Sequence, residues 1–208
     1  MKKIIHILLL CSPFLFSCGH RGETASGDTT KKNDSPFVNK QPINPYVDVD
    51  VSPMDMSYFP VDYPKLKMAD SINTPPVMRV IYSRPHKAGR KIFGGLQKFG
   101  EPWRLGANEA TEIEFFKPVT IQSKKINPGR YVLYCIPYET KWTIILNNSI
   151  YTWGLKIDST KDLVHFDIPI QKSAVDFEYL TILFKKTNTG AELVMAWDDI
   201  EARLPINF

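Results

Sequence analysis

Cysteine, histidine and an excess of one sign of charge are all scarce in this sequence. The 208 residues include three cysteines and four histidines, and the formal net charge is only +4. From residue 41 onwards only His86 and His165 remain, far apart and without the spacing of metal ligands. So small a charge does not favour nucleic acid as a partner. The composition therefore predicts neither a metal site nor a nucleic acid partner.

The chain also lacks any apolar stretch of the roughly 20 residues that a membrane-spanning helix needs. Its first apolar run, residues 4–16, follows the basic pair Lys2 and Lys3 and ends at the small residue Ser17. This order of a basic start, a short apolar run and a small residue is typical of a secretory signal. Residues 1–17 are therefore predicted to be a signal peptide.

Cys18 directly follows this segment, and the sequence Leu15-Phe16-Ser17-Cys18 resembles the bacterial lipobox. In a lipobox the chain is cut before the cysteine, whose sulfur carries a diacylglycerol. Two or more acyl chains hold a protein stably on a membrane, so Cys18 is the predicted lipidation site and membrane anchor. The alternative is an ordinary cleaved secretion signal. With Cys11 removed and Cys18 lipidated, Cys135 remains alone in an apolar run, where a cysteine is usually an inert core residue.

The mature chain divides into a polar stretch and one domain. Residues 18–40 are rich in small and polar residues and are predicted to form a disordered tether. Residues 41–208 have the length of one ordinary domain, with enough aliphatic and aromatic residues for a substantial core.

Within this domain apolar and polar residues alternate with period two, which is typical of strands with one buried face. Such rows occur at residues 164–170, 180–184 and 193–197, and a further row begins at 113–115. Turn residues separate them, and no segment has apolar residues at helical spacing over three turns. The sequence predicts an all-β fold, either an antiparallel β-sandwich or a barrel-like fold.

Residues 83–110 interrupt this pattern with five of the eleven glycines of the chain. Loops longer than about 15 residues within a compact domain are uncommon and usually functional or disordered. Several large apolar residues in this segment need burial, so one long ordered loop is predicted. The apolar residues in question are Ile92, Phe93, Leu96, Phe99, Trp103 and Leu105.

The domain contains several distinctive motifs: YSRP at 82–85, GRKIFGGL at 89–96, WR at 103–104, GANEAT at 106–111, PGRY at 128–131, WG at 153–154 and LVMAW at 193–197. Together they resemble the family called domain of unknown function 2911 (DUF2911), which is frequent in exported proteins of Bacteroidetes. The resemblance covers residues 77–208. It implies a β-rich domain of an exported lipoprotein and assigns no activity.

The long loop also concentrates arginines beside aromatic residues, which suits a ligand site. Guanidinium groups offer paired donors that match a carboxylate, phosphate or sugar acid, and aromatic rings can stack on a sugar. The alternative is that the arginines pair with nearby glutamates and that the tryptophan fills the core. The candidate ligand-binding residues are Tyr82, Arg84, Arg90, Trp103, Arg104, Asn108 and Glu109.

No motif of nucleophilic hydrolysis, phosphate binding or dinucleotide binding is present, so no cofactor is predicted and no catalytic residue is assigned. Three functions stay open. The favoured one is a lipid-anchored binding module of the cell envelope, at the outer membrane, for a small anionic or carbohydrate ligand. The others are an envelope polysaccharide hydrolase using Glu109 and a structural or interaction protein without a small-molecule site.

Overall fold

The computed structural model describes Tyr46 and residues 48–208. The predicted signal peptide 1–17, the lipidation site Cys18 and the predicted tether 18–40 lie outside the described residues. The predicted domain is described from its sixth residue, apart from residue 47.

In the described part of the chain nine antiparallel strands form one sheet, which confirms the all-β prediction. The order of the strands in the sheet is β1-β2-β3-β6-β7-β8-β9-β4-β5. The strands are β1 (Met54–Phe59), β2 (Met78–Ser83), β3 (Glu112–Phe115), β4 (Val119–Ile121), β5 (Lys124–Ile126), β6 (Gly129–Pro137), β7 (Lys141–Asn147), β8 (Asp162–Lys186) and β9 (Gly190–Asn207).

Strands β8 and β9 are 25 and 18 residues long and form the longest hairpin of the described chain. The two alternating rows at 164–170 and 180–184 belong to one continuous strand rather than to two. The register against β9 shifts between Lys172 and Phe177 and again between Phe177 and Thr181. The early part of β8 pairs with β7, so this strand joins two parts of the sheet.

The sheet curves until its first strand reaches the later part of β8. The hydroxyl of Ser57 on β1 donates to the carbonyl of Ile182 at 2.8 Å. The rings of Phe59 and Phe184 meet edge to face, with their centroids 6.4 Å apart. These contacts give the single sheet a barrel-like form with its core between the two parts.

Four aromatic side chains meet in the core between β6, β7, β9 and the long loop. The ring of Trp103 lies 5.8 Å from Trp142, edge to face, and 5.7 Å from Trp197, stacked. Phe93 contacts both Trp103 and Trp142 at 5.9 and 5.2 Å. Aromatic pairs in these geometries add about 0.5–1.5 kcal/mol beyond their buried area, so the long loop is held to the sheet by its own rings.

The only α-helix of the described residues, α1, spans Tyr63–Met68 and has proline in its first turn. A 3-10 turn follows later at Ser159–Lys161. Among the residues that the structure describes, no helix has the length and apolarity to span a membrane.

Candidate functional site

The segment between β2 and β3, residues 84–111, contains no named strand or helix and is ordered by backbone and core contacts. Trp103 and Cys135 exchange both backbone hydrogen bonds, at 2.7 and 2.9 Å. Ile92, Phe93, Trp103 and Leu105 are buried, as predicted.

Two apolar residues of the loop that were predicted to be buried do not enter the core. Leu96 and Phe99 remain 45% and 39% exposed. The Phe99 ring lies over Gly94 instead, where an added Cβ would come within 2.9 Å of it. Because Gly94 has no side chain, the Phe99 ring can pack over it at the surface.

Tyr82 and Arg84 meet at the carboxylate of Asp55. The Tyr82 hydroxyl donates to Asp55 Oδ2 at 3.4 Å, and Arg84 Nη1 lies 3.2 Å from the same oxygen. Arg84 Nε also donates to the carbonyl of Leu180 at 3.3 Å. Burial is the main reason that the pKa of Tyr82 is raised to about 12. Tyr82 and Arg84, two of the predicted site residues, thus form hydrogen bonds with other residues of the domain.

Arg90 folds back onto its own loop. Its Nη2 and Nε donate to the carbonyls of His86 and Lys87 at 2.5 and 2.9 Å. Lys87 in turn lies 2.7 Å from Asp176 and 2.6 Å from Asp198. Residues 86–90 therefore form a turn that is held by hydrogen bonds within the loop and by ion pairs to the rest of the domain.

Trp103 lies in the aromatic core and is only 4% exposed. Within the described residues its indole Nε1 is buried and has no hydrogen-bond partner. The structure therefore places the Trp103 ring in the core and not at the surface.

Asn108 adopts a positive φ of 55°, which asparagine tolerates better than most residues. Its Nδ2 donates to Asp50 Oδ2 at 2.6 Å and to the Ser52 carbonyl at 3.2 Å. Asn108 therefore holds the segment before β1 against the end of the long loop.

Unlike Arg84, the charged residues Arg104 and Glu109 have no ion-pair partner among the described residues, and unlike Arg90, Arg104 is not folded back onto its own loop. Arg104 Nη1 donates to the carbonyl of Trp153 at 3.4 Å. Partial burial lowers the pKa of the Arg104 guanidinium. The Glu109 side chain is exposed. Both side chains keep hydrogen-bonding capacity for a ligand.

Beside these two residues lies the loop between β7 and β8, which carries exposed aromatic rings. The Ala110 N–H donates to the Thr152 carbonyl at 3.3 Å and so joins the two loops. Tyr151 and Trp153 are 83% and 54% exposed. We call the surface formed by Arg104, Glu109, Arg130, Tyr151 and Trp153 the Trp153 patch.

Arg130 on β6 completes this patch. Its guanidinium lies 5.9 Å from the centroid of the Tyr151 ring. Arg130 Nη1 also lies 3.6 Å from Glu112 Oε2 on β3. A cation over an aromatic ring contributes about 0.5–1 kcal/mol at an exposed site, so Arg130 helps to hold the Tyr151 ring in place.

Gly154 lets the two loops approach each other closely. Its φ is +73°, and an added Cβ would lie 2.9 Å from the Ala110 Cβ and 3.0 Å from the Arg104 Cβ. The absence of a side chain at residue 154 therefore brings Trp153 next to Arg104.

No group of three or more histidine, cysteine or acidic side chains in the described part of the chain could hold a metal ion. Cys135 is fully buried, and burial raises the pKa of its thiol well above the usual value. A buried thiol that stays protonated is a poor nucleophile.

The family model described as a protein of unknown function, DUF2911, matches residues 64–206. The chain belongs to this family. No curated protein and no solved structure matches the chain.

The DUF2911 match begins before residue 77, where the resemblance in sequence starts, and includes most of α1. Most residues of the Trp153 patch belong to motifs quoted for the family. Arg104 lies in WR, Glu109 in GANEAT, Arg130 in PGRY and Trp153 in WG. Motifs far apart in the sequence of this DUF2911 member thus meet on one surface.

The composition and motifs of the sequence did not predict Tyr151, Trp153 or Arg130 as site residues. The available signal was the spacing of Tyr151, Trp153 and Leu155, three large residues at every second position of a loop, with no strand partner. All three are more than half exposed. Their proximity to Arg104 depends on tertiary contacts that a DUF2911 motif alone does not reveal.

Proposed function

We propose that this protein is a lipid-anchored binding module of the cell envelope, at the outer membrane, whose Trp153 patch holds a small carbohydrate or sugar acid. One observation carries the proposal. Arg104 donates to the backbone carbonyl of Trp153, a residue that is 54% exposed, and has no carboxylate partner among the described residues.

The chemistry of the patch fits a sugar. An aromatic ring offers a flat apolar surface for the C–H face of a pyranose, and binding sites combine such rings with a few placed polar groups. The Arg104 guanidinium presents paired donors to hydroxyls or to a sugar carboxylate. The Glu109 carboxylate accepts hydrogen bonds from hydroxyl groups.

Backbone strain at the patch supports the same conclusion. Of the eight non-glycine residues with positive φ in the described chain, three belong to the patch or directly adjoin one of its residues in sequence: Leu105, Asn108 and Tyr151. Such conformations cost of order 1–3 kcal/mol each and collect at ligand sites, where the surrounding structure maintains them. Tyr151, at φ 61°, is a bulky residue for which this conformation is rare.

Binding is tested by isothermal titration calorimetry of the purified protein, after a glycan panel of neutral and acidic sugars has identified a binding sugar. Trp153→Ala is expected to weaken binding at least about tenfold, the loss typical of a central aromatic contact. Leu183→Ala is the control, since Leu183 is also an exposed apolar residue, 41% exposed on β8 and outside the patch.

Arg104 is tested in the same titrations. Arg104→Ala is expected to weaken binding about tenfold, and Arg104→Lys to restore only part of it, because lysine keeps the charge but loses the paired donors. Unchanged melting temperatures show that both variants fold. A panel on which no sugar binds, or binding unaffected by Trp153→Ala and Arg104→Ala, contradicts the proposal.

A further inference from the structure

A row of outward-facing side chains crosses four strands from β1 to β6. Tyr58 lies opposite Arg79, Arg79 opposite Glu114, and Glu114 opposite Arg130. Directly opposite residues of antiparallel strands project to the same face of the sheet. These four residues therefore form a continuous row, which we call the outer strip.

An open cleft of about 410 Å³ lies at the β1 end of the outer strip. Tyr63 of α1 stacks on Tyr58 with ring centroids 5.5 Å apart, and both rings line the cleft. The Arg79 guanidinium lies 5.7 Å from the centroid of Phe116 on the same wall. This end of the strip is thus an aromatic site of the size that small ligands use.

The β6 end of the outer strip joins the Trp153 patch. Arg130 is the last residue of the row, and its guanidinium contacts the Tyr151 ring of the patch. Neighbouring strands lie about 4.8 Å apart, so the row from β1 to β6 spans about 14 Å. That distance exceeds one sugar ring, and a ligand touching both ends must be a chain of several units.

Both arginines of the strip are paired with glutamates of β3, Arg79 with Glu114 in the strip and Arg130 with Glu112 beside it. Arg79 Nη2 lies 2.7 Å from Glu114 Oε2, and Arg130 Nη1 lies 3.6 Å from Glu112 Oε2. An anionic chain bound here would have to compete with these carboxylates for the arginines. Uncharged hydroxyl groups can instead accept from a guanidinium and donate to the adjacent carboxylate without separating the pair.

We propose that the ligand is an extended, uncharged oligosaccharide that runs along the outer strip, with one end on the Trp153 patch and the other in the aromatic cleft of Tyr58 and Tyr63. This inference rests on the proposed function and extends it from a single sugar to a chain. It assigns a second aromatic subsite at the opposite end of the sheet face.

The test uses chitooligosaccharides and cellooligosaccharides as disaccharides, tetrasaccharides and hexasaccharides, with oligogalacturonates of equal length as anionic probes. Calorimetry on the purified protein is expected to show affinity that rises with chain length in a neutral series. Tyr63→Ala is expected to weaken the hexasaccharide about tenfold, the loss typical of an aromatic contact, and to leave the disaccharide within about twofold.

Tyr138→Ala is the matched control, since Tyr138 is an exposed tyrosine, 38% exposed just after β6 at the end remote from Arg130. Unchanged disaccharide binding shows that Tyr63→Ala remains folded, because the disaccharide needs only the Trp153 patch. Affinity independent of length, no effect of Tyr63→Ala on the hexasaccharide, or tighter binding of the anionic hexamer overturns the inference and leaves the proposed function standing. Failure of every oligosaccharide probe overturns the inference, and failure of the whole glycan panel as well overturns the proposed function.

Discussion

Ion pairing separates the cationic residues of the long loop into two groups. Arg84 and Lys87 contact carboxylates of the fold, and Asp198 accepts from both the Lys87 ammonium and the Ile92 N–H. Arg90 and Arg104 have no ion pair among the described residues: Arg90 donates to two carbonyls of its own loop, and Arg104 donates to the Trp153 carbonyl. The first group fixes the loop, and Arg104 keeps donors for a ligand.

The pairing of Asp198 predicts a dependence of stability on pH. Burial alone would raise the pKa of Asp198, but the hydrogen bond from Lys87 and that from the Ile92 N–H outweigh it and lower the pKa. A carboxyl with a lowered pKa in the folded state stabilises above its unfolded pKa of about 3.9, and this contribution is lost as the pH falls through the folded pKa.

Asp198→Asn is therefore expected to lower the free energy of unfolding at neutral pH by about 1.5–3 kcal/mol, the range for hydrogen bonds to charged groups. Asparagine tolerates the positive φ of 57° at this position, so the backbone is preserved. Urea unfolding across the pH range measures the effect, which should shrink below about pH 4. Asp176→Asn is the control with a small expected effect, since Asp176 is 63% exposed. Equal losses in the two variants, or a difference that persists in acid, contradict this account.

At the scale of elements, the close contact between the loop before β3 and the loop before β8 creates the Trp153 patch. Gly154 and Gly89 both have positive φ, at 73° and 70°. An added Cβ at residue 154 meets two side chains, whereas at residue 89 it meets nothing within 4 Å. Alanine substitutions at the two glycines therefore separate the free-energy cost of the left-handed backbone conformation from that of a steric clash.

Gly89→Ala is expected to cost about 1–2 kcal/mol of unfolding free energy from the left-handed conformation alone. Gly154→Ala should cost more, because the clash with Ala110 and Arg104 adds to the same strain. Thermal unfolding measures both variants, and Gly154→Ala should also weaken glycan binding because Trp153 is displaced. Identical melting temperatures would show that the loops are not in tight contact.

Strands with inward apolar residues could be predicted from the sequence, and strands with the opposite pattern could not. Alternation at 164–170 and 193–197 marks parts of β8 and β9. In β1 the apolar residues Met54 and Met56 are 48% and 38% exposed, on the face opposite Asp55. Asp55 lies opposite the buried Tyr82, but its side chain is 40% exposed and pairs with Arg84, a contact 29 residues away in sequence.

The candidate site was also predictable only in part, because it depends on contacts between residues that are distant in sequence. Arginines and glutamates of the long loop could be selected by composition, and Arg104 and Glu109 lie in the patch. Arg84 pairs with Asp55, and Arg104 contacts Trp153. Both contacts connect segments that are distant in sequence and form only when the sheet is folded. Periodicity within a short window carries no information about such contacts.

At the scale of the whole molecule, the proposed function combines two separate features, a lipid-anchored amino terminus and an outer face of the domain that would bind sugar. The structure describes the domain, whereas Cys18 lies outside the described residues. The lipid anchor therefore needs its own test.

Cys18→Ala in the full chain is expected to abolish lipid attachment, because the sulfur of Cys18 is the predicted site of the diacylglycerol. Expression in a Gram-negative host with an alkyne fatty acid measures incorporation, and fractionation measures release from the membrane. Cys11→Ala is the control and should leave labelling and membrane attachment unchanged, since residue 11 lies within the predicted signal. Labelling that survives Cys18→Ala contradicts the anchor.

The four tryptophans allow the central claim to be tested in one experiment. Trp103, Trp142 and Trp197 are at most 4% exposed, whereas Trp153 is 54% exposed. In a ¹⁵N-labelled protein each indole N–H gives one resolved signal, and Trp153→Phe assigns the signal of the patch. During titration with a sugar selected from the panel, the account predicts a saturable shift of the Trp153 signal, with the three core signals nearly unchanged. A titration in which binding is saturable but the Trp153 signal does not move would contradict it.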